Sequence, residues 1–241
     1  PYKKLVNYTK SEGGGILSLP CGFGKCLGYN TPVLLYDGSI KMVQDITKHD
    51  LLMGDDSKPR KILSICTGKE KLYKIKQNYG IDYVVNESHI LTLGHSRKGI
   101  VDIPLKDYLN EKNKKFYYAL KASIDYNYFF CNFSYPYVIG MFYVLSKEIK
   151  EPLIHYTKGS QKTRREFLAG IIDYVKEIKQ TDCYGLYFEN YEILETTKEI
   201  ANSLGYGIKQ EENTLFIYAH NIVTMIKEKI YTTKHLESNI E

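Results

Sequence analysis

Between residues 31 and 103 the chain breaks into short stretches of alternating apolar and polar residues, with turn residues roughly every 8–12 positions. Such stretches are too short and have the wrong period for packed helices, and they read as strands of a sandwich or barrel. Residues 32–36 and 39–43 flank Asp37-Gly38, which predicts a two-residue hairpin. Segments 60–66, 71–77, 81–85 and 89–93 continue the pattern. Near residue 137 the spacing turns helical. Thr163-Arg164-Arg165-Glu166 reads as a capping box opening a helix over 167–178. A strand over 184–188, a helix capped by Asn190 and stopped at Gly205, a strand over 214–218 and a helix over 222–229 complete an α/β segment. Ahead of the β region, the pattern predicts a helix over 2–10, a turn at Gly13-Gly14-Gly15 and a strand over 16–19.

Composition narrows the class without choosing a function. The 241 residues are 43% hydrophobic and 25% charged, which excludes wholesale disorder and a collagen-like repeat. The longest apolar run, 138–145, is far below the roughly 20 residues needed to span a bilayer. The opening Pro1-Tyr2-Lys3-Lys4-Leu5 lacks a signal peptide's apolar stretch, so the chain reads as soluble and not secreted. A net charge of +5 argues nothing beyond tolerance of a polyanion. The 23 tyrosines are spread along the chain, as expected for compositional bias rather than a nucleic-acid surface. Five cysteines without a CxxC pair favour neither a disulfide framework nor a four-ligand zinc site.

The segment Pro20-Cys21-Gly22-Phe23-Gly24-Lys25 follows an apolar strand, as a phosphate-binding loop does. It resembles the nucleotide loop of superfamily two helicases from large DNA viruses. In such a loop the Lys is followed by a Ser or Thr that ligates Mg²⁺, and then by a helix. Here Cys26 follows Lys25, and strands come next. The loop therefore reads as interrupted after its lysine.

From the interruption onward, Cys26-Leu27-x-x-Asn30-Thr31-Pro32-Val33-Leu34-Leu35-Tyr36-Asp37-Gly38 resembles the first conserved block of inteins. These segments excise themselves and join their flanks. The family's second block is Thr-x-x-His near a strand end, and Asn86-Glu87-Ser88-His89 stands at the expected separation, with Asn in place of Thr. The resemblance covers about residues 26–118. It implies a mostly β Hint-type splicing module in which Cys26 attacks the Lys25–Cys26 bond, assisted by His89 and Asn86. The residue types suit that step. A Cys thiolate is the most nucleophilic of the candidate side chains, imidazole exchanges a proton near neutrality, and a carboxamide can hold the upstream amide. Splicing itself needs no cofactor. ATP and Mg²⁺ would belong to the restored host helicase, held at Gly22, Gly24 and Lys25, with the residue after the insert supplying the hydroxyl.

Inteins of this kind end in His-Asn followed by Ser, Thr or Cys. Residues 232–241 carry no such ending, and His220-Asn221 is followed by Ile222. The expected partners are therefore the chain's own flanking extein segments and a C-terminal intein part, downstream or on a separate polypeptide. These residues alone are not expected to splice.

Farther along, Leu168-Ala169-Gly170-Ile171-Ile172-Asp173-Tyr174-Val175-Lys176 resembles the LAGLIDADG helix of homing endonucleases, with a weaker echo over residues 138–146. The family's metal-binding acid falls at Val175 and Leu145, neither of which can ligate Mg²⁺. An α+β degenerate LAGLIDADG endonuclease-like module is thus expected after the splicing module, with its helices packed through small residues. Lys158, Lys162, Arg164 and Arg165 leave weak residual DNA binding open against a solvated basic face.

The expected organisation is a helicase flank over 1–25, the N-terminal part of the splicing domain over 26–133, the endonuclease-like region over 134–230 and the start of a return to the splicing domain over 231–241. The expected setting is the cytoplasm or nucleus of an infected cell, without membrane attachment. Three readings compete with splicing. They are an active LAGLIDADG endonuclease on DNA, a stand-alone nucleotide-binding helicase fragment, and hedgehog-type autoprocessing.

Overall fold

The computed structural model describes residues 26–126, 135–146, 149, 152–178 and 183–218. Lys25, Gly22, Gly24, the expected leader elements, His220-Asn221 and the helix over 222–229 lie outside the described residues. The chain divides into two units, one comprising 1–76 and 82–120 and the other 77–81 and 121–241. Among the described residues no helix is long and apolar enough to cross a membrane.

The first unit is built of short antiparallel strands. They are β1 (Pro32–Leu34), β2 (Ile40–Met42), β3 (Leu51–Met53), β4 (Pro59–Lys61), β5 (Leu72–Ile75), β6 (Tyr83–Asn86), β7 (Ile90–His95), β8 (Gly99–Pro104) and β9 (Tyr117–Ala119), with α1 (Leu105–Asn110) after β8. β1 pairs with β2, β3 with β4 and β5 with β6, while β7 lies between β8 and β9. The all-β reading of 31–103 holds, but its details shift. Around Asp37-Gly38 the amide of Gly38 donates to the Leu35 carbonyl and that of Leu35 to Ser39, enclosing three residues rather than two. Gly38 takes φ 81°, the left-handed residue that completes a three-residue hairpin loop. Of the strand expected over 60–66, only Pro59–Lys61 forms, against β3. The core is small. Val85, Leu91 and Leu105 are buried, with Leu27, Tyr73, Ile75, Tyr83 and Leu93 packed around them.

The second unit sets helices against a four-stranded antiparallel sheet. Its elements are α2 (Pro136–Val144), α3 (Ile154–Thr157), α4 (Gln161–Tyr174), β10 (Lys176–Ile178), β11 (Tyr184–Tyr187), α5 (Tyr191–Ser203), β12 (Gly207–Glu211) and β13 (Thr214–Tyr218). The strand order is β10-β11-β13-β12. Asn190 caps α5 as expected, its Oδ1 accepting from the amides of Glu192 and Ile193 at 2.8 and 3.4 Å. α5 buries Ile193, Leu194, Thr197, Ile200 and Ala201, one stripe at helical spacing.

α4 departs from its sequence reading at both ends. Its cap is Ser160, whose Oγ accepts from the Thr163 amide at 3.2 Å, so Thr163 is inside the helix and caps nothing. It stops at Tyr174 because Lys176–Ile178 pair with β11 as an edge strand, and Val175 is extended. Sheet pairing overrides the helical periodicity there. α4 is buried nearly all round, from Phe167 to Ile172, as a helix must be when other elements pack on several of its sides.

Arg164 is another departure. The sequence reading groups it with a basic face, yet it is fully buried. Its guanidinium donates to the Gly159 carbonyl, the Ser203 hydroxyl and the Ile124 carbonyl, and its plane lies 4.8 Å from the Tyr126 ring centre. Burial draws its pKa down to about 10, so it is still charged at neutral pH. The arginine ties residues 124–126 to the start of α4 and the end of α5, so it cannot serve a polyanion.

α2 and α4 approach through glycine on both sides. A Cβ on Gly140 would collide with the Phe167 carbonyl oxygen, and one on Gly170 with the Tyr137 carbonyl oxygen. Tyr137 Oη donates to Asp173 at 2.8 Å across the same seam. Backbone cannot rotate away from such a clash as a side chain can. Gly170→Ala should therefore destabilise the chain by about 2 kcal/mol or more. Gly68→Ala, with nothing within 4 Å of its added carbon, should stay within about 0.5 kcal/mol of the parent. Urea unfolding followed by circular dichroism measures both.

Candidate functional site

The site forms where the segment around Cys26 joins β6. Leu27 bridges to Val85, and the amide of Gly28 donates to the Val84 carbonyl at 2.7 Å. Since β5 pairs with β6 through Leu72↔Asn86, β6 has a strand neighbour on each side. Leu27 enters the small core, which fixes the register of its neighbours: successive side chains alternate faces, so Cys26 points away from that core. On the far side of Gly28, a turn sends the chain into β1. The Thr31 amide and hydroxyl both donate to the Gly28 carbonyl, at 3.1 and 2.6 Å.

The ladder changes character at Cys26. Leu27 and Val85 are a non-hydrogen-bonded pair, so the next pair, Cys26 and Asn86, should exchange two backbone bonds. One is made, from the Asn86 amide to the Cys26 carbonyl at 3.2 Å. For the other, the Cys26 amide donates to Asn86 Oδ1, a side-chain oxygen, at 3.3 Å. The Asn86 carbonyl instead accepts from the His89 amide at 3.2 Å, closing a tight turn over Asn86-Glu87-Ser88-His89. The N–H of the peptide bond preceding Cys26 is thus held by a carboxamide rather than by the sheet.

That turn is fastened from outside. The first two amides of α1, Leu105 and Lys106, donate to the carbonyls of His89 (2.7 Å) and Glu87 (3.1 Å). A helix's opening amides have no partner within the helix, and here they find theirs in the turn. Asn86 is 1% exposed. Cys26 and His89 are half-buried. The structure brings Cys26 and Asn86 into direct contact and sets His89 one turn beyond Asn86.

Two neighbours of the site went unread in the sequence. Glu70 Oε2 accepts from Asn86 Nδ2 at 2.6 Å. Cys66 is a free, exposed thiol close enough to act on Cys26 electrostatically. Burial pushes the Cys26 thiol above its ordinary range, and Cys66 and Glu70 push it the same way, because a second negative charge disfavours the thiolate. The only sequence signal for Glu70 is strand register. It lies two residues before Leu72, the partner of Asn86, and so is a diagonal neighbour on the same face.

Residues 26–128 match the family model described as Hom_end-associated Hint. The match supports an intein-type, mostly β Hint module over this segment, and with it a function in protein splicing or autoprocessing.

The electrostatics carry a direct expectation. Because the charged form of Cys26 is the disfavoured one, its alkylation by iodoacetamide should rise with pH through a midpoint above the value of about 8.5 for an unperturbed cysteine. Peptide mapping by mass spectrometry follows Cys26 apart from the other thiols. A midpoint at or below the unperturbed value would contradict the environment described.

Proposed function

We propose that residues 26–128 carry out the first acyl shift of protein splicing at the Lys25–Cys26 bond. The observation that carries this reading is the Cys26 amide donated to Asn86 Oδ1. Sγ attacks the Lys25 carbonyl carbon, the C–N bond breaks, and Lys25 becomes a thioester on Cys26. The thiol loses its proton and the departing nitrogen gains one, so protons balance within the site. His89 is the group we assign to deliver the proton to that nitrogen, consistent with its place one turn from Asn86.

Asn86 gains its effect as the bond breaks. In the resting peptide its Oδ1 accepts from a neutral N–H. As the nitrogen leaves and takes a proton, the same oxygen faces an amine carrying positive charge, and the bond becomes charge-assisted. An interaction that strengthens toward the transition state accelerates the step, where one of constant strength would not. A backbone carbonyl in the same place would also have to keep the sheet paired. The side chain can follow the nitrogen without disturbing the ladder.

The wider reading rests on the sequence. Completion of splicing would need a C-terminal intein part and would join the flanking segments. Removal of the insert would restore the phosphate loop of Gly22, Gly24 and Lys25 in a helicase that uses ATP and Mg²⁺. For the second unit we favour a degenerate LAGLIDADG element that no longer cuts DNA. The glycine contact of α2 with α4 supports the helix pairing, and Val175 and Leu145 offer no oxygen to a metal at the positions that would need one. Any residual DNA binding would fall to Lys158, Lys162 and Arg165. Of these, Lys158 lies 5.2 Å from the Tyr126 ring centre and Lys162 pairs loosely with Glu166.

Incubation with dithiothreitol should release the peptide 1–25, because external thiol exchanges with the thioester. Cys26→Ala should abolish the release. His89→Ala should slow it by about 10²-fold or more, the usual worth of a positioned acid–base group. Asn86→Ala should slow it by about tenfold, the equivalent of one hydrogen bond. Mass spectrometry detects the released peptide. If neither this chain nor the full translated product of its gene releases it, the acyl-shift reading is wrong. Mg²⁺-dependent nicking of a duplex spanning the uninterrupted helicase site would overturn the view of the second unit.

A further inference from the structure

We infer that Glu70 is a positioning residue for the acyl shift, fixing which end of the Asn86 carboxamide faces the Cys26 amide. The inference rests on the splicing reading above and extends it to a residue 44 positions from the scissile bond by sequence. The two ends of a carboxamide are nearly equal in size but opposite in function: the oxygen only accepts and the nitrogen only donates. The Cys26 N–H needs an acceptor. With Asn86 reversed, two donors would oppose each other at the bond to be broken, and the contact would become repulsive.

At a solvated position water could satisfy either orientation. Asn86 is 1% exposed, so its orientation is settled by protein groups. On the Cys26 side the demand is the single N–H donor. On the other side stands the Glu70 carboxylate, 2.6 Å from Nδ2. A carboxylate has no proton to give, so reversing the carboxamide would set oxygen against oxygen as well as nitrogen against nitrogen. The two neighbours impose the same answer, and of the two Glu70 is the stronger, because a hydrogen bond to an ionised acceptor is about twice as strong as a neutral one. Register explains the reach. Cys26 and Asn86 are opposite one another, Leu72 lies across Asn86 on the far strand, and Glu70 is two residues before it.

This role opposes a second effect of the same group. The carboxylate adds to the forces that keep the Cys26 thiol protonated, so its removal should make the nucleophile easier to ionise. If thiolate supply limited the reaction, losing Glu70 would speed it. If Asn86 orientation limits it, losing Glu70 slows it, although the thiol becomes more reactive.

Glu70→Lys separates these cases most sharply. An ammonium is a pure donor and would require the Asn86 oxygen, turning the nitrogen toward Cys26. Release of 1–25 by dithiothreitol should fall about tenfold or more, the loss of a hydrogen bond plus a repulsion in its place. Alkylation of Cys26 at neutral pH should rise over the same comparison. Glu70→Gln, which can still accept from Nδ2, should lie between Glu70→Lys and the parent. In an Asn86→Ala background, Glu70→Lys should slow release no further. The proposal is overturned if Glu70→Lys releases the peptide at the parental rate, if it slows release equally without Asn86, or if Cys26 alkylation falls together with release. A measurement independent of cleavage keeps the two readings apart. The Asn86 side-chain NH₂ protons, seen by ¹⁵N NMR, should be protected from solvent exchange in the parent and lose that protection in Glu70→Lys. If neither the parent nor the full translated product releases the peptide but this protection depends on Glu70, the orienting contact stands and the splicing reading fails. If the protection does not depend on Glu70, the orienting role is refuted.

Discussion

The arrangement of the first unit turns on one exchanged hydrogen bond. An antiparallel ladder that continued past Leu27 would tie the Cys26 amide to the Asn86 carbonyl, the same oxygen that the turn uses. Because Oδ1 takes the amide, the carbonyl is left to accept from His89, and β6 can end in a tight turn. That turn presents the carbonyls of Glu87 and His89 to the first amides of α1. One asparagine thus ends the sheet, starts the turn and seats the helix. A side chain with no acceptor oxygen at this reach, such as alanine, would leave the Cys26 amide without its present partner.

The proposed acyl shift asks the segment around Cys26 both to hold and to release. Among the described residues of the first unit, the core beside this site buries Val85, Leu91 and Leu105, so this part relies on registers and turns as well as on volume. Leu27 is the anchor, and Thr31 closes the bend behind it. Cys26 sits between the anchored Leu27 and the peptide bond at which the acyl shift is proposed. The second unit follows the opposite plan, with a helix buried on nearly every side, a glycine seam and a buried arginine holding its connections.

The parts of this that are legible in sequence share one property: they depend on residues close together in the chain. Asp37-Gly38 marks a hairpin, Asn190 a cap, and 214–218 a strand, because turn and cap chemistry is local. Cys26, Asn86 and His89 are legible through spacing and a resemblance, although neither shows that the asparagine accepts from the cysteine's own amide. What escapes reading depends on partners far away. The end of α4 at Tyr174 is set by β11, which takes Lys176–Ile178 as an edge strand. The start of α4 is an exception, set locally by Ser160, whose Oγ accepts from the Thr163 amide one turn before the residue read as the cap. Arg164 looks like a surface cation, yet its three acceptors come from residues 124, 159 and 203. Glu70 lies in a stretch with no motif, and only register carries it to Asn86.

The raised thiol is consistent with such a site rather than at odds with it. Burial and neighbouring negative charge lower the fraction of Cys26 that is thiolate at neutral pH. A thiolate of higher pKa is also the stronger nucleophile, with a Brønsted slope of about 0.4–0.5, so on a logarithmic scale the added reactivity offsets less than half of the lost thiolate. The balance is a thiol less reactive at neutral pH than an unperturbed one. In the proposed acyl shift, a site so built would gain little from a ready nucleophile and would draw its acceleration from the departure of the nitrogen. The hydrogen bond that meets that nitrogen is the side-chain one, and the group that holds its acceptor in place is the same carboxylate that helps keep the thiol protonated. Under that proposal, restraint of the sulfur and preparation of the leaving group would meet in a single residue.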